Sequence, residues 1–225
     1  MRWLVPLLLL LLLMPGVPHP AAQESGVPTS LEIQVHQLIN GVRADKDRHH
    51  LDLVPLQLHS VLIDVARKHS QDMLDRNYFA HIDPDGKSPA DRVQAAGVTY
   101  TAVGENLYYS SGIPEDQVAQ SAVDGWVNSP GHYANIIGDY TFTGIGIIHH
   151  GDVYYITQVF ITADPGHMAS IGTIYDNNHL SSLQRKPATG GFHLSTQTAT
   201  GLVILLVILI GIDANRRNRR YYTRS

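Results

Sequence analysis

No cysteine occurs among the 225 residues. That absence rules out disulfides, thiol nucleophiles, thiolate metal ligands and iron–sulfur clusters. Basic residues are scarce through the body of the chain. Between residues 23 and 198 there are 10 Lys and Arg against 19 Asp and Glu, a net of −9. So acidic a segment lacks the positive face that a nucleic-acid partner requires. No Gly-x-Ser-x-Gly elbow is present, which removes the simplest route to a serine hydrolase. Nor is there an internal repeat. Long apolar runs are confined to the two ends.

Those ends set the expected topology. Met1-Arg2-Trp3 is a short basic start, residues 4–14 are apolar, and small residues and prolines lead to Ala21-Ala22. That order predicts a signal peptide over residues 1–22. A second apolar run covers residues 199–212 and is followed by Arg216, Arg217, Arg219, Arg220 and Arg224. Extended back through the hydroxyl-rich stretch from His193, it reaches bilayer length. Positive charge beside a span stays cytoplasmic, so residues 213–225 read as a basic inner tail. The expected product is a single-pass cell-membrane protein, N-terminus outside and C-terminus inside.

Residues 31–162 read as one extracellular α+β domain, large enough to fold on one core without staples. Thr29 and Glu32 have capping-box spacing ahead of Leu31, Val35, Leu38, Ile39 and Val42. Leu58, Leu62, Val65, Ala66, Met73 and Leu74 mark a second helix running to about Arg76. Ser88, Pro89 and Asp91 open a short helix that ends at Gly97. Residues 114–128 predict a further helix, broken by Ser129-Pro130-Gly131. After Thr143 the period drops toward two, and Gly151-Asp152 between apolar runs predicts a β-hairpin. Helices early and strands late imply helices packed on a mainly antiparallel sheet. Residues 163–198 are rich in turn residues and read as a linker or stalk, with one short strand pattern near residues 171–175.

Thirteen histidines offer many false leads. His49, His50, His149 and His150 fall at turns, and His167, His179 and His193 in the expected linker. His36, His59 and His69 fall in expected helices, where a hydrogen-bonded interior role is the default. His19 falls in the expected signal peptide, so His81 and His132 remain, each just past a helix, together with Glu105 in Gly104-Glu105-Asn106. Two imidazoles and a carboxylate are a workable zinc donor set, but spacing alone does not bring them together. Asp91 and Arg92 read as an ion pair at a helix start.

An ordered set of segments carries a resemblance. They are Asn77-Tyr78-Phe79-Ala80-His81, Pro84-Asp85-Gly86-Lys87-Ser88-Pro89-Ala90-Asp91-Arg92, Ala96-Gly97, Gly104-Glu105-Asn106, Trp126-Val127-Asn128-Ser129-Pro130-Gly131-His132 and Tyr155-Ile156-Thr157-Gln158-Val159-Phe160. Together they resemble the CAP superfamily of cysteine-rich secretory, venom antigen 5 and pathogenesis-related proteins, in its cysteine-free bacterial branch. The resemblance implies an α-β-α sandwich with a central cleft, where His81 and Glu105 match cleft positions. Tyr155 stands where eukaryotic members carry a second histidine, and Ser129 where they carry a second glutamate; His132 is expected to fill that space. The implied site is His81, Glu105 and His132, with Zn as the one cofactor to consider. Asn106, Tyr108, Ser129, Tyr155 and Gln158 are secondary cleft candidates, and Tyr108-Tyr109 is expected at the rim. No residue is assigned a catalytic role, and no organic cofactor is implied.

Three functions compete. The leading expectation is a tethered binding module for an extracellular lipid or peptidic ligand rather than an enzyme. The alternatives are a metal-dependent hydrolase using His81, Glu105 and His132, and a structural or adhesive envelope protein.

Overall fold

Two helix starts are fixed by side chains that close back on their own backbones. In α1 (Ser30–Ala44) the Thr29 hydroxyl accepts from the Glu32 N–H, and the Glu32 carboxylate accepts from the Thr29 N–H. Ser88 and Asp91 repeat the device in α3 (Pro89–Ala95). Each satisfies N–H groups that a first turn leaves without intrahelical partners. Glu32 does more, for it is wholly buried. It receives a two-pronged pair from Arg67 of α2 (Ser60–Arg76) and a hydrogen bond from the Ile147 N–H.

The computed structural model describes residues 24–185 apart from Lys46, Asp47 and His49. The signal peptide, membrane span and basic tail expected from the sequence, and residues 186–198 of the expected stalk, lie outside the described residues. Among the described residues, no helix is long and apolar enough to cross a membrane.

Five strands form one mixed sheet in the order β2-β4-β3-β1-β5. Hairpin strands β3 (Phe142–His150) and β4 (Val153–Thr162) pair antiparallel around Gly151, whose φ of 60° suits glycine. β2 (Ala102–Ser111) pairs antiparallel with β4 over its full length. β1 (Gln57–His59) runs parallel to β3, and β5 (Ile174–Tyr175) antiparallel to β1. Three of the four pairings are antiparallel, as expected, and the fourth makes the sheet mixed.

Side chains alternate across a strand, so each face carries its own core. One face packs Leu62, Val65, Ala66, Val93, Val159 and Met168. The other packs Ile39, Val118, Trp126, Ile136, Ile145 and Phe160, drawn from α1, α4 (Glu115–Val127) and α5 (Pro130–Ile136).

Three local expectations are corrected, and β2 is a strand that the sequence pattern does not announce. Leu58 and His59 belong to β1, not to the second helix. His59 ends the strand and caps α2, its Nδ1 accepting from Val61 N–H while Nε2 donates to Met168 O. β2 carries no clear alternation because Gly104, Glu105 and Asn106 interrupt it; pairing with β4 holds it as a strand. Ser129-Pro130-Gly131 does not simply break a helix but starts α5, with Pro130 in the first turn, where its missing N–H costs little. Last, the linker expected over 163–198 is corrected for residues 165–185. There α6 (Pro165–Ile171), β5 and α7 (Asn177–Arg185) pack Met168, Tyr175 and Leu180 into the core. Each element contributes only one or two apolar residues, too few to show a period.

Three histidines sit inside: His36, His59 and His69 are 3%, 0% and 1% exposed. Burial, the largest influence on each, holds all three below the ordinary imidazole value of 6.5. The unfolded chain therefore takes up protons near pH 6.5 that the folded chain refuses. The stability this represents is whole above pH 6.5 and is lost as pH falls toward the depressed folded values. The melting temperature should thus fall between pH 7.5 and pH 5.5, before the carboxylates titrate. A flat profile across that window would contradict the neutral burial of these rings.

Candidate functional site

Glu105 lies in edge strand β2, and only 1% of its side chain is exposed. A buried carboxylate needs partners, and three side chains supply them. His81 Nδ1 stands 2.8 Å from Oε1, Arg92 donates to Oε2 at 2.8 Å, and His69 Nε2 is 3.9 Å from Oε1. The Arg92 guanidinium serves as a clamp as well. It donates to the carbonyls of His81 and Lys87, fixing the loop that carries the histidine. That loop begins at Asn77, whose left-handed backbone (φ 53°) ends α2 and turns the chain toward the sheet. His69 donates to Ala80 O and so holds the loop one residue before His81.

The arrangement fixes a tautomer. A carboxylate can only accept, so His81 Nδ1 carries the hydrogen, and of the two neutral tautomers the pairing selects the one that leaves Nε2 a bare acceptor. With 49% of its side chain exposed, His81 offers that nitrogen to solvent or ligand.

His132 arrives from the other face of the sheet on α5. Its Nδ1 is 2.9 Å from Ser129 Oγ, and its carbonyl accepts from Asn106 Nδ2. Burial lowers its pKa and the nearby His81 lowers it further, which keeps the ring neutral at physiological pH. Asn135 of α5 donates to Asn106 Oδ1 and to the Glu105 carbonyl, while the Trp126 indole donates to Leu107 O. Two β2 carbonyls with no strand partner are thereby satisfied, and the same contacts seat α5 against the edge.

Two and four residues beyond Glu105 on the same face come Leu107 and Tyr109. Tyr109 meets Tyr155 of β4 edge to face at 5.1 Å, and Phe79 contacts both rings at 6.1 and 6.4 Å. These rings, with Asn77 and Tyr78, line a hollow of about 290 Å³. Phe79 is 50% exposed and Tyr109 46%. Phe79 and His81 lie two residues apart on the same loop.

The sequence expectations divide accordingly. His81 and Glu105 are in direct contact, His132 stands near His81, Ser129 holds His132, and Tyr155 walls the hollow. Asn106 and Gln158 are fully buried on the α5 face, out of reach of a ligand. Tyr108 also faces away, its hydroxyl on Ser121 and its ring against Trp126; Tyr109 is the rim residue. Strand alternation is the reason in each case. Arg92 and His69 were not expected at the site. The expected Asp91–Arg92 pair is replaced by Asp91 capping its own helix and Arg92 holding Glu105.

A metal fits this donor set poorly. Among the described residues, no three His, Asp or Glu side chains are placed to hold an ion. Both Glu105 oxygens are engaged, one by a guanidinium whose charge would oppose a divalent cation at the same place.

The model of the cysteine-rich secretory protein family matches residues 36–162. The uncharacterized Bacillus subtilis protein YkwD is 32% identical over 148 residues, 65% of this chain and 54% of that one. The Bacillus subtilis membrane protein YlbC is 34% identical over 136 residues, covering 60% of this chain and 35% of that one. This chain therefore spans about half the length of the first relative and a third of the second. Among solved structures, an extracellular protein of Bacillus anthracis containing an SCP domain is 34% identical, with a TM-score of 0.46. That match covers 59% of this chain and 40% of the other. The family match takes in His81, Glu105 and His132 and extends over more than half of the sequence, and the chain belongs to the cysteine-rich secretory protein (CAP) family.

Proposed function

We propose that the chain is an exported, membrane-tethered binding module whose cleft takes a small extracellular ligand without a metal. The ligand is peptidic, with an aromatic or apolar group in the Phe79–Tyr109–Tyr155 hollow and an N–H or O–H donor on His81 Nε2. The observation that carries this reading is two half-exposed aromatic rings beside an imidazole already oriented by a buried carboxylate. Exposed rings in contact with a concave apolar wall are costly unless something covers them. A peptide group supplies both the apolar contact and the donor. Supporting the tether are the acidic body, the apolar run at residues 199–212 and the arginines after it.

N-acetylphenylalaninamide, titrated into the full chain in detergent, should move the His81 ring-nitrogen and Tyr109 resonances in a saturable way. Tyr109→Ala and Phe79→Ala should each weaken it about tenfold, the size of a lost aromatic contact. EDTA should leave the curve unchanged. No saturable shift would end the peptide reading, and loss of binding in EDTA would restore a metal. The tether is tested separately: protease on intact cells should remove the domain and spare an epitope on the C-terminal tail.

A second reading draws on the same pair, because a Glu-anchored imidazole with a free Nε2 is also oriented as a general base. Turnover of a peptide or ester that His81→Asn abolishes, with binding retained, would favour it.

A further inference from the structure

β2 ends the sheet, so half of its backbone groups face no strand. In an antiparallel pair alternate residues bond the partner, and those between them point their N–H and C=O outward. The register runs without a bulge from Ala102↔Thr162 to Ser111↔Val153, and just past it Gly112 N–H bonds Asp152 O. Even-numbered residues of β2 therefore face β4, and odd-numbered ones face the free edge. The bonds that reach Glu105 O from Asn135 and Leu107 O from Trp126 agree with that parity. These two carbonyls are closed off by side chains of α5 and α4. At Tyr109 the edge is open: among the described residues nothing bonds its outward N–H or C=O.

Folded proteins usually cover, charge or shorten such an edge. Here the open pair belongs to the residue whose ring, 46% exposed, lines the aromatic hollow. Residues directly opposite on neighbouring strands send their side chains to the same face. A residue paired with Tyr109 thus puts its side chain beside the Tyr109 ring, on the face that carries the hollow. The next outward carbonyl, that of Leu107, is already taken. One complete donor–acceptor pair suits an antiparallel partner, in which a single residue exchanges both bonds with its opposite.

We propose that an extended peptide adds to the outer edge of β2 as an antiparallel strand, with an aromatic residue opposite Tyr109. This rests on the peptidic reading above and states how the peptide is held. The Tyr109 N–H and C=O hold its backbone, whatever its sequence, and the rings select the side chain.

The test compares N-acetylphenylalaninamide with O-acetylphenyllactamide, in which an ester oxygen replaces the one N–H that Tyr109 O would accept. Each is titrated into the full chain in detergent, with amide exchange followed by NMR. The ester should bind about tenfold more weakly, the size of one hydrogen bond lost with its acceptor left unmatched. With free N-acetylphenylalaninamide at about ten times its Kd, the Tyr109 amide should exchange about tenfold more slowly, while unbonded amides away from β2 keep their rates. Saturable binding with equal affinity for the two probes, or with Tyr109 exchange unchanged, would overturn the edge pairing and leave the peptidic reading of the hollow standing. No saturable binding of either probe would end both. Protection of Tyr109 that rises with protein concentration in the absence of probe would put a second copy of the chain on this edge, and would likewise overturn the proposal.

Discussion

Replacing Gly146 by alanine should destabilise the domain by about 4 kcal/mol or more, a large part of the total for a fold of this size. A Cβ at this position would stand 2.1 Å from the Arg67 nitrogen and 2.3 Å from the Ala66 carbonyl carbon. At Gly144, two residues earlier on the same face of β3, it would stand 2.1 Å from the Leu62 carbonyl carbon. These neighbours are helix backbone, which cannot swing aside as a side chain can. α2 would have to lift off the sheet. Lifting it strains the Ser70 bond to Gly146 O, which spans helix and sheet, and the Arg67–Glu32 pair, which ties α2 to α1. Overpacking alone costs about 1–3 kcal/mol; the broken polar contacts add to it. Urea unfolding of Gly146→Ala should show a much lower midpoint, or the variant should fail to accumulate in soluble form. A midpoint within about 0.5 kcal/mol of the unaltered chain would mean that α2 does not rest on β3 in this way.

Those two glycines also show what a sequence can and cannot disclose. Gly144 and Gly146 read locally as weak points in a strand, since they lower strand propensity. Their purpose lies some eighty residues away, on α2, and no local pattern points there. Helix caps were legible because donor and acceptor are three residues apart, as with Thr29–Glu32 and Ser88–Asp91. The β-hairpin was legible through its turn. β2 was not, because its strand character comes from pairing with β4. At the site, His81 and Glu105 could be named through the family's motifs, but their contact depends on Asn77 turning the chain and Arg92 holding it. Arg92 lay inside one of those motifs and read as a partner of adjacent Asp91. Only the fold shows that capping already occupies Asp91, leaving Arg92 for Glu105. Tyr108 and Tyr109 differ by one residue, yet alternation puts only the second beside the cleft.

Arg43 links the far core to the site, and its loss should be felt at both. It is 1% exposed, with its head group among backbone carbonyls. Nε and one terminal nitrogen donate to Val54 O, the other terminal nitrogen donates to Ile136 O and Gly138 O at 2.8 Å each, and Tyr140 O is reached at 3.4 Å. Burial works against its charge while the charge of Asp139 supports it. Arg43→Met would keep most of the volume and leave these carbonyls inside without donors. By the usual cost of unmatched buried groups, the loss is about 3–5 kcal/mol. Arg43→Lys should recover only part, because an ammonium is a point donor that cannot span carbonyls from both segments. The consequence reaches further, since Ile136 and Gly138 close the end of α5, and α5 carries His132 and Asn135. Releasing that end frees the helix that holds the Glu105 carbonyl and places the second imidazole. Amide exchange in Arg43→Met should therefore speed up across residues 130–138 more than in α3, and binding of the peptide probe should weaken although Arg43 touches no ligand. Uniform acceleration throughout the domain would show a general loss of stability with no particular tie to α5. Unchanged unfolding would show that these carbonyls find other donors.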